Sequence, residues 1–419
     1  MYALVDATSF YASAEKVFDP RIRNKPVVVL SNNDGCIVAA SPEAKRLNIP
    51  KFQPYFKLKS VLAEHNVVIR SSNYELYADL SDKMMKVINQ FSDNHHIYSI
   101  DESFLKFEGF GDLVDSWEQY GHVIRRSVWR STKLPVGVGF GPTPTLAKAA
   151  NHAAKKFKNA TGVAVINNQQ SRRQILANLN VEDVWGIGKR LTKQLNQQGI
   201  YSALDLANQN PRLMRKQFSV VLERTVSELN GEACLSWHEI TQRKKEIYST
   251  RSFGERITDP KALKAALATH CAIVSKKLRK QNSLAKNIVI FAHSSPFEDR
   301  YYKKSFIQKL PVASSDVRVF TKAVSDIFHQ LFQSGVKYYK AGVGAIELED
   351  DTFLQTDLFS QSQDSPALMK CLDEINTRFG NHTARTGAQL QSNAWHMRRA
   401  FLSPYYTTRW SDIPLIKCQ

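Results

Sequence analysis

The stretch YALVDATSFYASAE, residues 2–15, decides the fold of the amino-terminal third of the chain. YALVD has the apolar and β-branched composition of a short strand, and this strand ends on Asp6. The following SFYASAEKVF has helical periodicity, and PVVVL at residues 26–30 returns to a strand pattern. Short strands that alternate with helices indicate an α/β or α+β domain.

The same alternation continues along the chain and then gives way to helix. HHIYSIDESFLKF (95–107) and PVGVGFG (135–141) predict further strands, separated by a helix around residues 113–130. The glycines of PVGVGFG have GxGxG spacing and not the GxGxxG of a dinucleotide site. From Ser171 to Gly231 the pattern is helical, which predicts a separate helical unit.

Three acidic residues stand out in the predicted strands: Asp6 at the end of YALVD, and the adjacent Asp101 and Glu102 in YSIDESF. Carboxylates placed at strand ends of one sheet could hold two divalent cations, and Mg²⁺ prefers such oxygen ligands. Adjacent residues of a regular strand face opposite sides, so Asp101 and Glu102 need a turn or bulge to converge. The alternative is that all three are ordinary surface acids.

The charge of the chain indicates a polyanionic partner. The 419 residues suggest about three domains and carry 57 Lys and Arg against 39 Asp and Glu, a net charge of +18. Residues 243–309 hold 16 basic and 5 acidic side chains, so +11 of the excess lies in this one segment. Because the segment includes the strand-like IYSTRSF and NIVIFAH, we predict an ordered basic domain that contacts nucleic acid; the alternative is a solvated face.

The composition argues against two broad classes of protein. No run approaches the ~18 consecutive apolar residues of a membrane span, and MYALVD lacks the basic region of a signal peptide. The five cysteines are far apart and never spaced as CxxC, so neither a disulfide framework nor a zinc knuckle is indicated. We therefore expect a cytoplasmic protein with no membrane partner.

Several strings together resemble the Y-family of translesion DNA polymerases. ATSFYASAE, SIDE and PVGVGFGPTPTLAKAANHAAKK occur in the family's order and at compatible spacing. SNNDGCIVAASPEAKRLNI, SSNYELYADLS and VWGIGKRLTKQL resemble the bacterial UmuC branch of that family, and the resemblance covers nearly the full length. It implies a multidomain α+β fold, with an α/β palm, small fingers, a helical thumb with a helix-hairpin-helix, an α/β little finger and a C-terminal extension.

The resemblance also implies domain limits. We expect palm at 1–30 and 75–165, fingers at 31–74, thumb at 166–235, a linker at 236–247, the little finger at 248–350, and a clamp- and partner-binding tail at 351–419.

Carried over by position, the family's catalytic metal ligands would be Asp6, Asp101 and Glu102, holding two Mg²⁺ ions with the backbone carbonyl of Ala7. Tyr11 matches the steric gate, an aromatic ring that excludes the 2′-hydroxyl of a ribonucleotide. Its neighbour Phe10 is predicted to belong to the same nucleotide site, with packing on a helix face as the alternative.

Two lysines are predicted to bind the triphosphate: Lys45 in SPEAKRL, matching a fingers cation, and Lys155 in NHAAKK, matching a palm lysine. The chain departs from many relatives with Pro42 where an aromatic phosphate contact is common. It also has lysine at position 45 where many relatives have arginine, and lysine binds phosphate as a point charge whereas arginine can form two hydrogen bonds at once. Lys148 and His152 share a helix face with Lys155, and a solvated basic face is the alternative for these two.

The thumb is predicted to bind the DNA backbone. In VWGIGKRLTKQL, the glycines Gly186 and Gly188 resemble the turn of a helix-hairpin-helix, whose backbone N–H groups bind phosphate without reading bases. Lys189 and Arg190 add positive charge at the same end. A plain helical turn is the alternative.

Two further segments are predicted to bind macromolecules. RSFGERIT, with Arg251 and Arg256, resembles the first strand of the little finger, which follows the duplex by phosphate neutralisation. QTDLF resembles the peptide that bacterial polymerases insert into the sliding clamp, with Gln355 as polar anchor and Leu358 and Phe359 filling an apolar pocket.

The implied function is a DNA-directed DNA polymerase that extends a primer opposite damaged template during SOS mutagenesis, with low fidelity and no proofreading. Its expected partners are primer-template DNA, deoxynucleoside triphosphates, the sliding clamp, a processed UmuD dimer and RecA. Two alternatives remain: a palm-type nucleotidyl cyclase, which has no use for the +11 segment, and a non-catalytic DNA-binding subunit, which has no use for three intact acids.

Overall fold

A computed structural model describes residues 1–110, 113–157, 160–235, 243–352, 364–380, 383–389 and 397–413. The chain forms two compact units, one of Met1–Gln242 with Ala400–Gln419 and the other of Arg243–Arg399. In these ranges no helix is both long enough and apolar enough to cross a membrane.

The elements of the described residues follow in chain order. The strands are β1 (Tyr2–Ala7), β2 (Val27–Leu30), β3 (Ile37–Ala40), β4 (Val68–Ser71), β5 (Asn94–Ile97), β6 (Glu102–Lys106), β7 (Val136–Gly141), β8 (Val163–Val165), β9 (Ile247–Ile257), β10 (Ser283–His293), β11 (Lys303–Ser314) and β12 (Tyr338–Asp350). The α-helices are α1 (Phe10–Val17), α2 (Pro42–Arg46), α3 (Tyr55–Glu64), α4 (Tyr74–Ile88), α5 (Trp117–Thr132), α6 (Pro144–Lys156), α7 (Gln169–Ala177), α8 (Lys189–Gln197), α9 (Ala203–Ala207), α10 (Pro211–Gln217), α11 (Val220–Leu229), α12 (Pro260–Lys280), α13 (Val317–Leu331) and α14 (Pro366–Arg378).

The first unit is built on a five-stranded sheet in the order β5-β6-β1-β7-β8. β1 lies at its centre, antiparallel to β6 and β7, and β8 runs parallel to β7. Side chains of β1 alternate between two cores, since Ala3 and Val5 pack with α1, α4 and α5 while Leu4 packs with Ala147 of α6. The strand predicted from YALVD is therefore the buried centre of the sheet, and Asp6 lies at its half-buried end.

The glycines of PVGVGFG bring α6 against the sheet. A Cβ on Gly139 would lie 2.0 Å from the backbone nitrogen of Asn151 and 2.5 Å from the carbonyl oxygen of Ala147. The Asn151 amide, buried beneath the helix, donates to the carbonyls of Leu4 at 3.0 Å and Gly137 at 2.8 Å. The glycines thus serve close packing of a helix on a strand, and one face of α6 is fixed over the end of β1.

Two smaller parts complete the first unit. A three-stranded sheet, β3-β2-β4, has β2 antiparallel to β3 and parallel to β4, and it packs with α2 and α3 around an apolar core of its own. The helices α7–α11 enclose a further core, which confirms the helical pattern predicted between Ser171 and Gly231.

The second unit contains the whole of the basic segment, residues 243–309. Its antiparallel sheet has the order β11-β10-β12-β9, and α12 and α13 pack on it around one apolar core. Met369 of α14 is buried against the same core. The predicted ordered domain is confirmed, with its first strand beginning at Ile247.

Candidate active site

The three predicted acids lie together at one end of the central sheet. Asp6 on β1 is the register partner of Glu102, the first residue of β6. The backbone N–H of Ala7 donates to the carbonyl of Asp101 at 2.9 Å, which ties the adjacent acid to the same strand end. The strand pairing alone therefore places all three residues at one edge.

A serine turn lets the adjacent acids converge. The segment predicted as strand from His95 to Phe107 is a hairpin, because the chain bends at residues 99–101 between β5 and β6. The Ser99 hydroxyl donates to Asp101 Oδ1 at 2.6 Å and accepts from the backbone N–H of Glu102 at 3.0 Å. This is the turn that a DE pair at a strand end requires.

Lysines of α6 neutralise two of the acids. Lys155 Nζ lies 2.5 Å from Asp6 Oδ2, and Lys148 Nζ lies 3.0 Å from Glu102 Oε2. Lys148 also lies over the rings of Tyr98 and Trp185, at 4.5 and 5.3 Å from their centroids. Lys148 is thus not a simply solvated lysine.

In this structure the carboxylates of Asp6, Asp101 and Glu102 do not converge on one point where they could hold a metal ion. In the part of the chain that the structure describes, no three His, Cys, Asp or Glu side chains are grouped tightly enough to hold a metal ion. Their present partners are ammonium groups and a serine hydroxyl. The donor set itself is all oxygen, which fits a hard divalent cation once the lysines move aside.

Asp6 lies in a strongly charged environment. Burial raises its pKa to about 6, Lys155 opposes that rise, and the neighbouring Glu102 and Asp101 add to it. The two other carboxylates therefore disfavour the negative charge on Asp6, so this end of the sheet favours added positive charge.

One cavity of about 1020 Å³ collects the predicted catalytic and nucleotide residues. Those that line it are Asp6, Ala7, Phe10, Tyr11, Pro42, Lys45, Asp101, Glu102, Lys148, His152 and Lys155. Residues from β1, α1, α2 and α6, more than a hundred positions apart in the chain, meet there. The volume is in the range of known small-molecule sites.

Tyr11 stands half-buried at the wall of this cavity. Its ring stacks on that of Tyr77, with centroids 4.5 Å apart and planes 15° from parallel. The ring of Tyr74 meets it edge-on at 6.3 Å. Phe10, which also lines the cavity, is only 3 % exposed and packs in the core of the first unit.

Lys45 approaches from the small sheet's side of the cavity. Its Nζ donates to the Ser9 hydroxyl at 2.7 Å. Partial desolvation lowers the pKa of Lys45, and the nearby Lys51 and Lys155 lower it further. A cluster of ammonium groups beside carboxylates suits a ligand that carries both metal ions and phosphates.

The predicted DNA-contacting turn has the geometry of a helix start. Gly186 has φ of 87°, which favours glycine, and Gly188 is the N-cap of α8. Lys189 and Arg190 are exposed in its first turn, which contains no acidic residue. The first turn of α8 therefore presents two exposed cations beside a glycine N-cap that supplies no side-chain cap.

The remaining predicted contacts lie in the second unit. Arg256 Nε is 3.5 Å from Glu298 Oε1, and its guanidinium lies 4.6 Å from the centroid of the Tyr339 ring. Arg251 is half-buried on β9. The residues predicted to bind the clamp, Gln355, Leu358 and Phe359, fall outside the described residues.

Sequence reasoning missed three residues that shape the site: Ser99, Asn151 and Tyr77. Ser99 two positions before an acid pair is a signal that could have been read, since serine favours such turns. Asn151 and Tyr77 act through tertiary contacts, which have no local pattern.

Comparison with known proteins identifies the family. The sequence profile of the impB/mucB/samB family matches residues 5–152, its C-terminal domain matches 244–358, and a domain of unknown function, DUF4113, matches 366–416. The chain is 43% identical to Protein UmuC of Salmonella typhimurium over 100% of both chains, and 39% identical to Protein MucB of Escherichia coli over 99% of both. It is 24% identical to DNA polymerase IV 2 of Bacillus subtilis over 95% of this chain and 96% of that one.

Solved structures agree on the fold. A Y-family DNA polymerase chimera built on Dbh aligns with a TM-score of 0.63 at 19% identity, covering 83% of this chain and 99% of that one. The insertion ternary complex of Dbh DNA polymerase aligns with a TM-score of 0.54 at 20% identity, covering 82% and 98%. With the fold of these Y-family polymerases and full-length identity of 43% to Protein UmuC, the chain belongs to the impB/mucB/samB family.

Proposed function

We propose that this chain is a DNA-directed DNA polymerase of the translesion type, which adds deoxynucleotides to a primer 3′-hydroxyl opposite damaged template. The observation that carries the proposal is the single cavity in which three strand-end acids, Tyr11 and Lys45 meet. Family membership and the relatives named DNA polymerase IV support the same reaction.

In this proposal Asp6, Asp101 and Glu102, with the carbonyl of Ala7, hold two divalent cations, with Mg²⁺ as the expected metal. Bound there, the ions would lower the pKa of the primer hydroxyl and neutralise the leaving oxygens. The chain contributes the Ser99 turn, which holds Asp101 beside the strand end. When the cations bind, Lys148 and Lys155 would leave Glu102 and Asp6 and would contact phosphate or solvent instead.

The nucleotide would lie between the acids and α1. Lys45 and Lys155, which already line the cavity, would bind the triphosphate. Tyr11 would pack against the deoxyribose, so a 2′-hydroxyl would clash with its ring. Phe10 would support that ring from the core, since it is buried on the same helix.

Primer-template DNA would be held by backbone contacts from both units. The residues proposed for this are Gly186, Gly188, Lys189, Arg190, Arg251 and Arg256. The net +11 of residues 243–309 supports a salt-dependent, sequence-independent grip.

The wider setting follows the family. Gln355, Leu358 and Phe359 would insert into the sliding clamp, and a processed UmuD dimer and RecA would be the regulatory partners. The chain would act in the SOS response, in the cytoplasm and on the nucleoid.

Primer extension with purified full-length chain tests the catalytic assignment. Asp101→Asn should lower the rate of templated synthesis in Mg²⁺ by about a hundredfold or more, because a charged ligand is lost from the reacting centre. The exposed Asp93→Asn is the matched control and should synthesise like the wild type.

Wild-type rates in Asp101→Asn would refute the two-metal assignment. Product formed from nucleotide without any template would instead indicate a nucleotidyl cyclase. A wild-type chain that binds primer-template but never extends it would be a DNA-binding subunit.

A further inference from the structure

The C-terminal strap, defined here as residues 400–413, lies on the first unit although it follows the second in the chain. Its backbone pairs with the end of β4: Ser71 N–H donates to the Phe401 carbonyl at 3.0 Å, and Phe401 N–H donates to the Ser71 hydroxyl at 2.9 Å. The N–H of Ala400 donates to Asp34 Oδ2 at 2.8 Å. The strap is therefore bonded to the small sheet and not merely resting on it.

Asn73 joins the strap to the start of α4. Its amide nitrogen donates to the hydroxyl of Ser403 at 3.0 Å and to the carbonyls of Ser403 and Pro404, both at 3.3 Å. Its Oδ1 accepts from the backbone N–H of Leu76 and so caps the helix. Asn73 is fully buried and Ser403 is 3 % exposed, so these bonds are shielded from water.

From α4 a short series of contacts reaches the wall of the cavity. Tyr77, one turn into the helix and fully buried, stacks under the ring of Tyr11. The Tyr77 hydroxyl donates to Glu15 Oε1 at 2.6 Å, and Glu15 is itself 1 % exposed. Ser403 also lies close enough to the Glu15 carboxylate to favour its charged form. The strap residue that is bonded to Asn73 at the start of α4 therefore lies beside the acid that accepts from the Tyr77 hydroxyl.

Two ring contacts extend this attachment on either side. Tyr406 of the strap stacks on Phe18, the residue after α1, with centroids 5.2 Å apart. Phe401 meets Tyr55 of α3 edge-on at 5.7 Å. The C-terminal strap therefore contacts both the end of helix α1, which carries Tyr11, and the part of the first unit that contains the small sheet.

We propose that the C-terminal strap is a positioning element for sugar selection: through Ser403, Asn73 and the Glu15–Tyr77 pair it fixes the ring of Tyr11 against the incoming nucleotide. This gives a role to the last part of the region matched as a domain of unknown function. The inference rests on the proposed function, because it assumes that Tyr11 faces the sugar. A strap that only stabilised the fold would leave sugar preference unchanged.

Two measurements test this role. The first is equilibrium binding of dCTP and of CTP to the full-length chain on primer-template DNA, and the second is the steady-state rate at which each nucleotide is inserted. Ser403→Ala should lower the preference for dCTP over CTP by about fivefold, the size of one lost hydrogen bond, with the change in KM and not in kcat. Ser411→Ala is the matched control, since Ser411 lies on the strap but is exposed, and among the described residues its hydroxyl bonds to the neighbouring Asp412. Tyr11→Ala marks complete loss of preference.

A chain ending at Arg399 should lose more preference than Ser403→Ala. If that chain does not fold, Ser403→Ala decides alone. Unchanged dCTP preference in Ser403→Ala, or an equal loss in Ser411→Ala, would overturn the proposal. Because binding is measured without catalysis, a wild-type chain that prefers dCTP but never extends the primer refutes the polymerase function and not the strap's role.

Discussion

Gly139 sets the distance between β7 and α6, and a single methyl group should disturb it. In Gly139→Ala the added Cβ would meet the backbone of Asn151 and Ala147, neither of which can move without displacing the helix. We expect the free energy of unfolding, measured by urea denaturation, to fall by about 3 kcal/mol.

Gly35→Ala is the matched control for this substitution. Gly35 has φ of −75°, and its nearest neighbours would lie 3.4 Å or more from a new Cβ. Alanine there should leave stability unchanged or raise it by about 0.5 kcal/mol, because it restricts the unfolded chain. Equal stability of both variants would mean that α6 is not held by glycine packing.

At the residue scale, the acids could be predicted from the sequence and their partners could not. Asp6 is recognisable because it ends an apolar strand pattern, and Asp101 and Glu102 because they form an acid pair inside another. The pairing of Lys155 with Asp6, and of Lys148 with the second strand's acid, depends on how α6 rotates against the sheet. That rotation is set by glycine contacts, which no local pattern specifies.

At the element scale, α8 offers a test of DNA backbone binding. Its first turn presents Lys189 and Arg190 to solvent beside the glycine N-cap. Lys189→Gln should weaken binding by the same factor for every duplex sequence, because phosphate contacts carry no base information. The slope of log affinity against log salt, measured by fluorescence anisotropy, should fall by about 1.

Lys86→Gln provides a charge-matched control for that experiment. Lys86 is exposed on α4 and paired with Asp82 at 2.7 Å, so its loss should leave the salt slope unchanged. A change in affinity with Lys189→Gln that depended on duplex sequence, or an unaltered slope, would contradict backbone binding by α8.

Strands and helices with strong periodicity could be predicted, while a turn inside an apolar run was less evident. HHIYSIDESFLKF has the composition of one strand, yet the Ser99 turn divides it into β5 and β6. The helix expected around residues 113–130 is observed as Trp117–Thr132, beginning where the Ser116 hydroxyl accepts from Gln119 N–H. Side-chain caps of this kind define the ends of elements.

At the scale of the whole molecule, the region that carries the positive charge could be predicted from the sequence. The packing of the C-terminal strap on the first unit could not. Counting residues placed +11 in 243–309, and this segment lies within an ordered unit that has its own core. The bonds from Asn73 to Ser403 join residues 330 positions apart. A contact of that separation has no signature in either segment, so the tail's attachment to the first unit emerges only from the structure.

The stability of the second unit should depend on pH through His270. The side chain is buried on α12 with Nδ1 2.8 Å from the Ser249 hydroxyl on β9, and burial, aided by Arg251 and Lys277, lowers its pKa from 6.5 to about 3. The folded unit therefore keeps His270 neutral while the unfolded chain takes up a proton below pH 6.5, so stability is complete above that pH and is lost as pH falls toward 3. Each pH unit below 6 should cost about 1.4 kcal/mol from this residue. In His270→Gln, the free energy of unfolding should depend less on pH by this amount. Urea denaturation, with hydrogen exchange of α12 as the readout, measures the dependence. If the variant and the wild type showed the same dependence between pH 6 and 4, His270 would not be its cause.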